Sequence, residues 1–131
     1  MATVLKPIIL SRTSVTGSIV VVIDRSRSYP SLERNAEVRY ARDAPSGLEV
    51  LKQLHAGQGW VDLLLMECDP DLIEPAFNWM VELYSLGDLP PVGEVLINSS
   101  GPQAAALASI LCKWVPVETA EFGELPSSAA A

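Results

Sequence analysis

Apolar positions along the chain fall into short continuous runs, separated by stretches in which they recur every three or four residues. Residues 19–24 (IVVVID) form a β-branched run without polar alternation, the pattern of a strand covered on both faces in a parallel sheet. Residues 61–68 (VDLLLMEC) read the same way and stop where Asp69-Pro70-Asp71 brings in acidic and turn residues. A third such run, residues 94–98 (EVLIN), follows the breakers Gly87, Pro90, Pro91 and Gly93 and ends at Ser99-Ser100-Gly101-Pro102. Residues 37–42 (EVRYAR) alternate instead, with Val38 and Tyr40 between polar neighbours, as a half-exposed or edge strand does.

Helical spacing fills the gaps. Ser46 is placed to cap a helix carrying Leu48, Leu51 and Leu54, which Gly57 and Gly59 end. After Asp71, Phe77, Met80, Val81 and Tyr84 share one stripe of a helix that ends at Gly87. Residues 103–114 carry Leu107, Ile110, Leu111 and Trp114 at i, i+3, i+4 and i+7, so Trp114 is expected in the core, whereas Trp79 falls off the Phe77 stripe as a candidate contact residue. Residues 31–36 leave room for only a short or irregular helix. This alternation predicts an α/β fold, doubly wound, with a mostly parallel sheet of four or five strands. Three segments follow: an extension over 1–18, whose residues 4–10 would add an edge strand; an α/β domain over 19–117, closing on a short strand at Val115-Pro116-Val117; and an acidic, Ala/Ser-rich tail over 118–131.

Composition narrows the function classes. The 131 residues carry 9 Lys+Arg against 16 Asp+Glu, a net charge of −7, which argues against binding nucleic acid unaided because phosphate contacts need a clustered basic face. With 49% hydrophobic and 19% charged residues and a mean hydropathy of +0.26, the chain should fold as one domain. No apolar run approaches the roughly 18 residues that span a bilayer, and the start lacks a signal-peptide pattern, so a cytoplasmic protein without membrane contact is expected. Cys68 and Cys112 are too few for a disulfide framework or a zinc site and read as reduced core thiols. His55, the single histidine, has no partner spaced for metal binding and reads as a partly exposed surface residue.

In an open parallel sheet, ligands bind beyond the carboxyl ends of the strands. Those ends supply Asp24-Arg25-Ser26-Arg27, Asp69-Pro70-Asp71 and Asn98-Ser99-Ser100. Carboxylates there are hard oxygen ligands for magnesium, and hydroxyls and amides opposite them can hold a phosphate. The same acids also serve simply to cap helices or pair with Arg25 and Arg27, and Ser99-Ser100-Gly101-Pro102 serves as cap and turn. Arg25, Arg27, Arg34, Arg39 and Arg42 concentrate in one third of the chain, as a basic patch or as members of internal ion pairs.

The arrangement resembles the receiver domains of response regulators, and more closely a small receiver-like family described as cyclic-phosphate-processing. That family's first strand ends in an Asp-Asp-x-Arg-x-x-Pro-like motif, matched here by Asp24-Arg25-Ser26-Arg27-Ser28-Tyr29-Pro30. Its third ends in Leu-Asp-His-Asp-Leu, matched by Cys68-Asp69-Pro70-Asp71-Leu72, and its fourth follows a Pro-Pro pair and ends in His-Ser, matched by Pro90-Pro91 and Asn98-Ser99. The likeness spans about residues 19–114 and implies a receiver-like, flavodoxin-like sheet. It also implies a magnesium site at Asp24 and Asp69, catalytic roles for Asp69 and Asp71, and phosphate contacts from Ser99 and Ser100.

The departures point elsewhere. Arg25 stands where the family has a second acid, Pro70 and Asn98 replace its histidines, and no lysine marks a fifth strand, Lys113 falling in the last helical pattern. Histidine is the side chain best suited to proton transfer near neutral pH, so phosphodiester chemistry here lacks its acid or base. Two functions are therefore expected. The first is a degenerate, non-catalytic receiver-like module that binds another protein and needs no cofactor. The second is a magnesium-dependent phosphoryl handler, with Asp69 as phosphoacceptor or in cyclic-phosphate processing.

Overall fold

The computed structural model describes residues 19–34, 36–99 and 101–120. In chain order the elements are β1 (Ile19–Ile23), α1 (Pro30–Glu33), β2 (Glu37–Ala41), α2 (Ala44–Ala56), β3 (Leu63–Glu67), α3 (Pro70–Ser85), β4 (Val95–Asn98), α4 (Pro102–Leu111) and β5 (Val117–Ala120). The strands form one sheet in the order β2-β1-β3-β4-β5, every pair parallel. The α/β, doubly wound, flavodoxin-like expectation is met, with five strands among the described residues.

The continuous apolar runs become the three central strands because both of their faces are buried. Val21, Ile23, Leu64, Met66, Val95 and Ile97 face α2, α3 and α4, meeting Leu51, Phe77, Met80 and Leu111. Val20, Val22, Leu63, Leu65 and Leu96 point the other way, where Tyr29 and Leu32 of the α1 segment pack on them. Helix α2 lies so close to β1 that a Cβ on Gly47 would stand 2.8 Å from Ile23 Cδ1. Glycine is what permits that approach.

Several local expectations are corrected. Helix α2 is capped by Asp43, whose side chain accepts from the Ser46 amide at 2.8 Å, so Ser46 lies inside the first turn rather than at the cap. The last strand is Val117–Ala120 instead of residues 115–117, which moves the end of the domain past 117 and takes residues 118–120 out of the expected tail. Helix α4 ends at Leu111, so its buried stripe is Ala104 and Leu111, continued by Val115; Trp114, beyond the helix end, is 40% exposed and stacks on Tyr84 with ring centroids 5.1 Å apart. Cys68 is half-buried and Cys112 exposed, both free thiols, so neither is a core residue. The expected edge strand at 4–10, the tail beyond residue 120 and Ser100 lie outside the described residues. No helix among the described residues is long and apolar enough to cross a membrane.

Candidate functional site

Strand β1 has β2 on one side and β3 on the other, so the chain reverses direction across the sheet between β1 and β3. In this topology the crevice beyond the carboxyl ends of those two strands is the natural ligand position. Register pairs Ile23 with Met66 and Glu67 with Asn98, which brings the residues following β1, β3 and β4 to one rim. Asp24, Arg25, Asp69, Asp71, Asn98 and Ser99 all arrive there, as their positions at strand ends require.

Asp24 is buried. Its Oδ1 accepts the amides of Ser26 and Arg27 at 3.1 and 2.9 Å, and its Oδ2 accepts the Tyr29 hydroxyl at 3.1 Å. The Tyr29 hydroxyl in turn accepts from Asn98 Nδ2 at 3.0 Å. Asp24, Tyr29 and Asn98 thus form a buried polar chain linking the ends of β1 and β4. Burial, reinforced by the neighbouring Asp24 carboxylate, pushes the Tyr29 phenol far up, so it stays a protonated donor. The Tyr29 amide donates to the Tyr40 hydroxyl at 2.8 Å, and Tyr40 donates to Glu33. Arg42 stiffens the same loop, its Nη1 donating to the carbonyls of Asp24 and Arg27 and its Nη2 to Ser28 Oγ.

Arg25 leaves this network and crosses to β3. Its amide donates to Glu67 Oε1 at 3.0 Å, and its Nε and Nη2 both donate to Asp69 Oδ2, at 3.0 and 2.8 Å. Hydrogen bonding from Arg25 holds the Asp69 carboxyl below the usual carboxylate range, the Asp71 amide adding to the effect. The other oxygen, Oδ1, accepts that Asp71 amide at 3.0 Å and so caps α3. Asp71 itself is exposed in the first turn of α3, where a carboxylate suits the helix dipole. Ser99 Oγ accepts the Gly101 amide at 3.1 Å ahead of α4, and burial pushes the Cys68 thiol up.

These side chains do not fit a magnesium ion as arranged. Asp24 spends both oxygens on its own loop and Tyr29, while the Asp69 oxygen nearest β1 holds a guanidinium, whose fixed charge opposes a cation beside it. No group of three or more His, Cys, Asp or Glu side chains suited to a metal ion occurs among the described residues. Three of the five clustered arginines are held by local partners. Arg25 pairs with Asp69, Arg39 with Glu37 at 2.9 Å, and Arg42 with loop carbonyls. His55 is partly exposed as expected, but it has partners: Asp88 at 3.5 Å and the edge of Trp79.

The residues that close the site and carried no chemical flag in the sequence are Tyr29, Tyr40 and Glu67; Arg42 was visible only as a member of the arginine cluster. No local signal marks Tyr29, because a tyrosine beside a proline in a loop is as readily exposed as buried. No family model, no curated protein and no solved structure matches the chain, so the receiver-like resemblance stands on the motifs at 24–30, 68–72 and 90–99 alone.

Proposed function

We propose that this chain is a non-catalytic module of receiver-like build that works by binding another protein. The observation that supports this reading most directly is the Arg25 guanidinium on Asp69 Oδ2, in the position where the resembled family would place a metal. The second support is Asp24, buried and engaged by the Ser26 and Arg27 amides and the Tyr29 hydroxyl. Asn98, standing where the family has a histidine, serves as donor to Tyr29 and has no proton to shuttle near neutral pH. A scaffold persists readily after its chemistry has gone.

The competing reading is a magnesium-dependent phosphoryl handler using Asp69, Asp71 and Ser99. It requires Arg25 to leave Asp69 and Asp24 to break three hydrogen bonds. The test is to incubate the full chain with a small phosphodonor and magnesium and to follow intact mass and melting temperature. The expected result is no adduct and no magnesium-dependent shift. A phosphoryl adduct that disappears in Asp69→Asn overturns the proposal, as does opening of a cyclic phosphate by the wild-type chain that Asp69→Asn abolishes.

A further inference from the structure

All the helices run back from the carboxyl to the amino end of the sheet, so each connection entering a strand lies at the amino pole, opposite the crevice just described. Among the described residues, the large exposed hydrophobics are Trp60, Leu86, Leu89, Ile110 and Trp114, and every one of them is at this pole. Trp60 precedes β3, Leu86 and Leu89 lie between α3 and β4, Ile110 is in the last turn of α4, and Trp114 precedes β5. Exposures of 75% for Leu86, 73% for Leu89 and 51% for Trp60 are high for side chains of this size.

Backbone and side-chain contacts link the loops that carry most of them. Val61 and Val92 form a bridge, the Val61 amide donates to the Pro91 carbonyl and its carbonyl accepts from the Gly93 amide, and the Trp60 indole lies over Gly93, 3.1 Å from where a Cβ would stand. His55 and Asp88 tie the end of α2 to the loop carrying Leu86 and Leu89. Tyr84 joins that loop to Trp114 by stacking. Beside Trp114 lies a shallow, mostly open cavity of about 580 Å³, also lined by Lys113, Glu94 and Glu118. Scattered surface leucines need no explanation, but a set gathered on neighbouring loops at one pole marks an interaction surface.

Charge decides what fits it. On these loops Asp88 is exposed and Glu118 lines the cavity, against a single lysine, Lys113, while Asp62 accepts the Ile19 amide and Glu94 is buried. A second copy would face the same acidic excess with its own, on a chain of net charge −7. Resting on the protein-binding reading above, we propose that the amino pole docks a basic amphipathic segment of another protein, with aliphatic side chains on Trp60, Leu86 and Leu89 and a lysine or arginine in the cavity beside Trp114.

A synthetic leucine-lysine amphipathic peptide tests this against a leucine-glutamate counterpart, using the isotope-labelled full chain, amide shifts and a sizing column. Perturbations should centre on 57–62, 86–94 and 112–116 with the basic peptide alone and weaken as salt rises. The double variant Leu86→Ser/Leu89→Ser changes exposed positions and should keep its circular dichroism while binding about tenfold or more weaker. Equal binding of both peptides, shifts centred on 24–28 and 67–71, unchanged affinity in the variant, or a dimer that the variant dissolves would each overturn the proposal. None of these outcomes involves phosphoryl labelling at Asp69. Failure here therefore leaves the non-catalytic reading standing, and labelling would defeat that reading even with peptide bound.

Discussion

Tyr29 shows how a single hydroxyl can decide whether a set of strand-end acids is a site or a closed network. Its oxygen lies between Asp24 Oδ2 and Asn98 Nδ2, at 3.1 and 3.0 Å, with no exposed surface. Leaving buried polar groups without their partner costs about 1–3 kcal/mol, far more than an average hydrogen bond contributes. Tyr29→Phe should therefore lower stability by about 2 kcal/mol, read as a lower urea midpoint at unchanged slope. Arg39→Ala, which removes only an exposed pair with Glu37, should cost less than about 0.5 kcal/mol in the same assay. Equal effects of the two substitutions would dismiss the network as a determinant of this pole. The positions of Asp24, Arg25, Asp69 and Asn98 were legible in the sequence because strand ends can be read from where apolar runs stop. The use made of them was not, since it depends on Tyr29 swinging inward and on Arg25 crossing to the neighbouring strand. Both are tertiary choices that no local pattern encodes.

Elements followed the same division. Strands buried on both faces announced themselves as unbroken apolar runs, and β2 was visible through its alternation, because burial is what writes those patterns. Strand β5 was misplaced: its sequence, VETA, is half polar, and only pairing with β4 makes it a strand. The start of α2 differs from the sequence expectation for another reason. Asp43 stands ahead of Ala44-Pro45, and a proline is tolerated in the first turn, so Asp-Ala-Pro-Ser was itself the start signal. At the contact of α2 with β1, two opposing effects of similar size meet. Alanine is favoured over glycine within a helix by about 1 kcal/mol, while overfilling a packed core costs about 1–3. A Cβ at Gly47 would meet Ile23 Cδ1 at 2.8 Å and Cγ1 at 3.1 Å, and Ile23 is enclosed in the core. Overpacking should win, so Gly47→Ala is expected to destabilise by about 1 kcal/mol. Ile23→Val deletes the offending methyl, and in that background Gly47→Ala should become neutral or stabilising. Additive effects in the double-mutant cycle would show that the two residues are not in conflict.

At the scale of the whole molecule, the two ends of the sheet are built differently. The carboxyl end is polar and tied by hydrogen bonds among Asp24, Tyr29, Asn98, Arg25 and Asp69, whereas the amino end carries the exposed aromatic and aliphatic side chains. Between them runs a sheet whose burial falls from centre to edge: β1, β3 and β4 are almost wholly buried, while β2 and β5 expose alternate or partly buried positions. Edge strands lack a neighbour on one side, and local opening frees them at lower cost than it frees central strands. Native-state hydrogen exchange should accordingly order the amides in two tiers. Val21, Val22, Leu65 and Ile97, flanked by hydrogen-bonded strands on both sides, should exchange only through global unfolding and track the stability found by denaturant. Amides of β2 and β5, such as those of Arg39 and Thr119, should exchange faster and respond less to denaturant. The docking reading adds a condition, because a basic peptide bound at the amino pole should slow exchange at Trp60 and Leu89 while leaving the loop at 24–28 unchanged. Protection of β5 equal to that of β3 would mean that the outer edge of β5 is itself paired, and would move the search for a binding surface from the pole to that edge.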